Sequence, residues 1–476
     1  MDQTWLSLLP FLIVIVMSIW LKRILPGLVT GLLVGSLIVK FNFLGGSQQT
    51  IHYIVETLSE ETNIKIVGFL YLFGGLVGMM KISGGIKGFS EYIGTKISSE
   101  RGLLGLIWFT LPFTFMMPMF RIMMIGPVVK SLLEKMKLSK QKVGFMMDVS
   151  TASVIVLLPV ATAFVGFMVS LVEGGIQENQ LDLSPYHIFL LSIPFNFFAI
   201  VMLVIGIVKT VWPSSSKKEV TGNHLEPIMK EQQEHLYHRI GIKKELSLVK
   251  AQPWNLIIPL FLLLGLSLFL LWQDGTSKGA DSLFDAFSKA DATFVMLLAV
   301  FLTLVLTFIF YLLRRQPMDE LLYHFFDGGN ELMQAIIMLV LVWALSLTAE
   351  DLGFSEFISS TLGTFLPAFM IPAIIFLIGS IVGYFIGSSW GTWGLFMPLG
   401  ITLATATGAS IPLTVGAVFA SGTFGALTSP LGDTTITTAS ILEMTLVEYA
   451  RYKLKISCIG GAIAIALYLI SALFFV

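Results

Sequence analysis

"GFSEYI" at residues 88–93 returns as "GFSEFI" at 353–358. Downstream of each copy stand a proline, a serine and a second proline at matching intervals: Pro127, Ser150 and Pro159, then Pro398, Ser421 and Pro430. A period this long, agreeing at several positions, makes the chain two related halves, 24–211 and 291–476.

Both halves are strongly apolar. Of 476 residues, 55% are hydrophobic and 12% charged, which excludes an ordinary soluble domain. Runs such as 5–21, 187–208, 254–272, 292–313 and 456–476 are long enough to cross a bilayer as helices and lack the alternation of barrel strands. A single cysteine, Cys458, excludes a disulfide framework. The six histidines form no HExxH or His-x-x-x-His pattern, and a net charge of −1 points to no nucleic-acid partner.

Lys and Arg gather at 22–23, 130–142, 217–250, 314–315 and 451–455, and none lies between Arg315 and Arg451. The positive-inside rule makes those clusters cytoplasmic and the stretches 173–183 and 350–356 external, so the two halves run in opposite senses across the bilayer. The expected fold is an all-α polytopic membrane protein with two inverted repeats, about ten transmembrane helices, two re-entrant hairpins and broken helices. Residues 1–23 form a retained N-terminal transmembrane helix with its N-terminus outside. Residues 212–252 form a cytoplasmic linker, and 253–290 a transmembrane helix with an external loop.

Each half holds a segment too long and too interrupted for one crossing: 102–130, with Pro112, Pro118 and Pro127, and 366–408, with Pro372, Pro398 and several glycines. These are read as the hairpins, because irregular backbone at membrane depth must be buried or line a wet cavity. Broken helices follow at 142–172 and 411–440, where Pro159 and Pro430 free carbonyls beside small hydroxyl residues.

No charged residue occurs from 357 to 432, and the stretch ends at Asp433 in "TSPLGDTT". An intramembrane carboxylate is functional by default. Asp148, Ser150 and Thr151 in the first half, with Ser429, Asp433, Thr434 and Thr435 in the second, are hard oxygen ligands suited to Na⁺ or a carried proton. Arg121, at the first hairpin apex, pairs with Asp148 or Asp433, awaits an anionic substrate, or snorkels to the interface. Ser388, Ser389, Trp390 and Thr392 in "SSWGTWG" form the second hairpin's turn beside the substrate.

The motifs "TWLSLLPFLI", "GGLVGMMKISGGIKGFSE", "KLSKQKVGFMMDVSTA", "GSSWGTWGLFMPL" and "TSPLGDTT" cover most of the chain, the last two being the most specific. By them the chain resembles the NhaC sodium/proton antiporter family, within the wider ion-transporter superfamily of inverted-repeat carriers. The resemblance implies that Asp148, Ser388, Trp390, Gly391, Thr392, Ser429, Pro430, Asp433, Thr434 and Thr435 line the ion and substrate path. It also implies a multi-pass protein of the bacterial plasma membrane and dimerisation, as a homodimer, through the scaffold. The chain departs from the family at Met117-Pro118 and Arg121, where an Asp-Asp pair and an Asn are usual, and at Ala426-Leu427, where an Asp-His pair is usual.

The primary expectation is a cation (Na⁺)/proton antiporter working by alternating access, with Na⁺ and H⁺ as transported or coupling ions and no resident cofactor. The departures favour an alternative, a Na⁺- or H⁺-coupled carrier of a small organic anion or amino acid, because Arg121 could hold a carboxylate in a bidentate pair. A channel lacks an evident filter. An intramembrane aspartyl protease, which needs two facing aspartates, leaves the repeat unexplained.

Overall fold

The computed structural model describes residues 5–82, 99–136, 138–211 and 252–475. The first copy of the repeated motif, and residues 212–251 of the expected linker, lie outside the described residues. Everything regular among the described residues is helical.

The first half opens with α1 (Leu9–Leu21), α2 (Ile24–Lys40), α3 (Phe43–Ser59) and α4 (Glu61–Ile82). A hairpin follows, built from α5 (Glu100–Phe109), the short α6 (Leu111–Thr114) and α7 (Pro118–Met136). Then come the two pieces of an interrupted helix, α8 (Lys140–Ile155) and α9 (Ala163–Glu178), and a bent pair, α10 (Pro185–Ser192) and α11 (Phe197–Val211). The second half repeats the order. Before it come α12 (Trp254–Ser277) and α13 (Leu283–Lys289); its own leading helices are α14 (Ala292–Leu313), α15 (Met318–Glu331), α16 (Met333–Asp351) and α17 (Phe354–Phe365). Its hairpin is α18 (Ile371–Ile386) and α19 (Ser389–Thr407), its interrupted helix α20 (Ile411–Thr428) and α21 (Asp433–Ile441), and its last span α22 (Leu446–Phe475).

Local chemistry sets these boundaries. Ser139, Thr162 and Ser388 cap α8, α9 and α19 by accepting from the amides of Lys142, Val165 and Gly391, which satisfies donors that helix geometry leaves open. Gly387 ends α18 with φ 74°, a left-handed cap natural to glycine. The interruptions fall at residues 156–162, around Pro159, and 429–432, around Pro430.

Packing between the halves is reciprocal. The second half's hairpin arm α19 lies on α9, and the first half's hairpin arm α7 lies on α21; likewise α14 packs on α4 and α2 on α16. Each half thus clasps the other's broken helix, as a two-fold relation requires. Backbones come close where glycines face each other: a Cβ on Gly425 of α20 would lie 2.5 Å from the Gly383 carbonyl carbon of α18. Small residues at such crossings let membrane helices approach tightly.

Among the described residues, seven helices are long and apolar enough to cross a membrane, or eight if the bent α10–α11 pair counts as one span. The expected ten counted shorter pieces as well. The helices around α1 and α2, Trp5–Leu21 and Ile24–Lys40, are apolar but short, and α8 and α9, at 16 residues each, reach only about 24 Å at 1.5 Å per residue.

Candidate functional site

Helix α8 carries Asp148, Ser150 and Thr151 within one turn, and all three are buried. At about 100° per residue Ser150 lies roughly 200° around the helix from Asp148, whereas Thr151, three residues on, lies only about 60° from it. Asp148 looks toward α21 and α22. Its Oδ1 accepts from Thr438 Oγ1 at 2.6 Å; its Oδ2 accepts from Tyr449 OH at 2.7 Å and from Lys453 Nζ at 2.6 Å. Lys453 Nζ also donates to Thr435 Oγ1 at 2.6 Å. Neither charged side chain is exposed at all. This is a charge-assisted network in a dry setting, and the lysine neutralises the aspartate.

Ser150 and Thr151 instead receive Arg121 of the first hairpin. The guanidinium spends all five of its N–H groups. Nε donates to Thr151 Oγ1 (2.9 Å), Nη1 to Thr110 Oγ1 (3.1 Å) and Thr114 Oγ1 (2.6 Å), and Nη2 to Ile107 O (2.6 Å) and Ser150 Oγ (3.1 Å). Arg121 is completely buried. Every acceptor is a neutral hydroxyl or carbonyl, and among the described residues no carboxylate pairs with it. The expected pairing of Arg121 with Asp148 or Asp433 is therefore corrected: Asp148 is taken by Lys453. Snorkelling is corrected too, because the charged end points into the hairpin.

Asp433 stands apart from both clusters. It is the first residue of α21, directly after the interruption, and its side chain is exposed. A carboxylate there faces the positive end of the helix dipole, and Arg23, in the turn between α1 and α2, lies within electrostatic reach. Thr434 beside it is partly exposed. Ser429, buried, accepts from Leu431 N at 3.0 Å and shapes the interruption. The ion-binding residues expected as one cluster are thus divided among the Lys453 network (Asp148, Thr435), the Arg121 cage (Ser150, Thr151) and the exposed helix break (Ser429, Asp433, Thr434).

The second hairpin turns at Gly387 and Ser388, so most of "SSWGTWG" is helix; the expectation that 388–394 is a turn is corrected because Ser388 caps α19 at once. Ser389 Oγ donates to Gly422 O at 3.2 Å and Thr392 Oγ1 to Ser388 O at 2.8 Å. Trp390 stacks on Phe164 of α9 with centroids 4.3 Å apart. Trp393 donates to Phe419 O at 2.9 Å. These contacts seat the second hairpin's tip at the start of α9, while Thr437 of α21 meets Met119, next to the first hairpin's tip, at 3.3 Å. Hairpin tips and helix breaks of the two halves therefore converge, as in carriers whose site lies at the repeat interface.

Sequence reasoning missed Tyr449 and Lys453. Lys453 reads as one of the basic cluster 451–455, but Tyr449, Lys453, Ser457, Gly461 and Ala464 recur at helical spacing and form the buried stripe of α22, whereas Arg451 and Lys455 are exposed. That period was the available signal.

A family model described as "Na+/H+ antiporter family" matches residues 154–473. The chain belongs to the Na⁺/H⁺ antiporter family. It is 23% identical to an uncharacterized protein of Haemophilus influenzae over 95% of this chain and 88% of that protein. Shorter matches are to the arginine/ornithine antiporter ArcD of Halobacterium salinarum, 32% identical over 33% of this chain and 32% of that one, and to the malate-2H(+)/Na(+)-lactate antiporter of Bacillus subtilis, 30% identical over 31% and 30%. The fold is similar to that of Neisseria gonorrhoeae MtrF, described as illuminating a class of antimetabolite efflux pumps. There the TM-score is 0.56 at 14% identity, with 90% of this chain and 85% of that one covered. As a family member the chain is a multi-pass secondary transporter of the antiporter type and not an enzyme. The protease reading falls with this, and Asp148 faces a lysine where a protease needs a second aspartate.

Proposed function

We propose that this antiporter exchanges a small carboxylate-bearing solute, an organic acid or an amino acid, coupled to Na⁺ or H⁺ through Asp433. The observation that carries the reading is the Arg121 cage: a fully buried guanidinium whose five acceptors are all neutral. A buried charge without a counter-ion is costly, and such residues mark substrate paths. Thr110, Thr114 and Ser150 are hydroxyls that can turn away, leaving the planar fork to take a carboxylate in a bidentate pair. The names of two relatives, an arginine/ornithine and a malate/lactate antiporter, are in keeping with a solute of this class.

Asp433 is the carboxylate suited to coupling. It is reachable, sits where a broken helix exposes oxygen ligands, and has Ser429 and Thr434 as neighbours in sequence. The same feature favours a second reading, Na⁺/H⁺ exchange with no organic solute. Proteoliposomes loaded with a pH dye separate the two when challenged with Na⁺, Li⁺ or K⁺ gradients and, in parallel, with a panel of carboxylates and amino acids. Solute-driven ion movement that disappears in Asp433→Asn is the expected result. Cation-driven proton movement with no response to any carboxylate overturns the solute reading in favour of simple exchange.

A further inference from the structure

We infer that the oxygen cage around Asp148 is a monovalent-cation site whose occupant is supplied by the protein itself, the Lys453 ammonium. The cage draws on both halves: Asp148 from α8, Thr435 and Thr438 from α21, and Tyr449 from α22. Carboxylate, hydroxyl and phenol oxygens are the hard donors that alkali cations select. Lys453 Nζ takes two of them at 2.6 Å, Asp148 Oδ2 and Thr435 Oγ1, and lies 4.7 Å from the centre of the Tyr449 ring. The side chain descends from α22 into a place with no solvent exposure, so its charged end stands where a desolvated ion would.

A tethered ammonium has consequences that a free ion does not. It is always at hand, so the three helices are held together at any external Na⁺ concentration. It also leaves no vacancy at Asp148 for Na⁺ in this conformation. The inference concerns this cage alone and stands whichever solute is exchanged and whatever ion Asp433 serves.

Removing the tether should expose the site. Lys453→Ala deletes the ammonium and its stem and leaves the oxygens in place. Thermal midpoints of the purified full-length protein in detergent, in NaCl against choline chloride, are compared for wild type, Lys453→Ala, and Lys453→Ala combined with Asp148→Asn. The expected result is a rise in midpoint with Na⁺ in Lys453→Ala, several degrees beyond any wild-type response and absent from the double variant. A folded Lys453→Ala with no added Na⁺ response overturns the inference, as does a response that persists without the Asp148 carboxylate. If Lys453→Ala yields folded protein only when Na⁺ or ammonium is present during purification, yield reports the same dependence and supports it. Failure in Na⁺, ammonium and choline alike, while the double variant folds, overturns it.

Discussion

Lys453 Nζ lies 2.6 Å from Asp148 Oδ2, and the two side chains, from different halves of the repeat, are both wholly buried. Breaking such a pair from one side leaves an uncompensated charge and costs about 3–5 kcal/mol, whereas replacing both partners is far milder. Asp148→Asn and Lys453→Met should each lower the denaturation midpoint sharply, and Asp148→Asn/Lys453→Met should recover most of the loss. Two neutral single variants would show that the contact holds nothing together.

Asp433 should behave in the opposite way. Its carboxylate, at the start of α21, has no side-chain partner among the described contacts, so exchange for the near-isosteric amide breaks no pair, and a change outside the named destabilising mechanisms usually stays within about 0.5 kcal/mol. Asp433→Asn is expected to keep the wild-type midpoint while ion-coupled flux falls to the level of empty liposomes. Wild-type flux in this variant would remove Asp433 from the coupling path.

The α18–α20 crossing gives a packing prediction with an internal control. A methyl on Gly425 would meet the Gly383 backbone at 2.5 Å, whereas one on Gly265 of α12 meets nothing within 4 Å. Gly425→Ala should cost about 1–3 kcal/mol by overpacking, and flux should fall with it because the second hairpin is displaced from the broken helix. Gly265→Ala should be neutral or slightly stabilising. Equal effects at the two positions, read as thermal midpoints, would contradict the backbone contact.

The architecture was legible because it repeats. Pro159 and Pro430, aligned by the internal match, are the residues around which both helices come apart, and the long apolar runs announce a helical membrane protein whatever the details. The site was legible only as an inventory. Asp148, Ser150 and Thr151 look like one ligand set in a sequence, but their partners differ: the carboxylate meets Lys453, while Ser150, about 200° around α8 from it, and Thr151, only about 60° from it, both meet Arg121. Lys453 was hidden by its neighbours, since a basic run suggests a cytoplasmic edge unless the buried period of α22 is read through it. Long-range partners such as Thr438 and Tyr449 leave no local mark, because nothing in the spacing of α8 says which helix it will face.

Counterflow shows whether Arg121 serves a carboxylate. Liposomes loaded with an unlabelled amino acid or dicarboxylate are given the labelled solute outside, with wild type, Arg121→Lys and Arg121→Gln compared at equal amounts of folded protein. Wild type should exchange, Arg121→Lys, which keeps the charge but not the fork, should lose part of the activity, and Arg121→Gln should show an apparent affinity weaker by about 10–100-fold, the equivalent of about 1.4–2.8 kcal/mol. Absence of exchange with every carboxylate tried, alongside Na⁺/H⁺ exchange that Arg121→Gln leaves intact, would contradict that role.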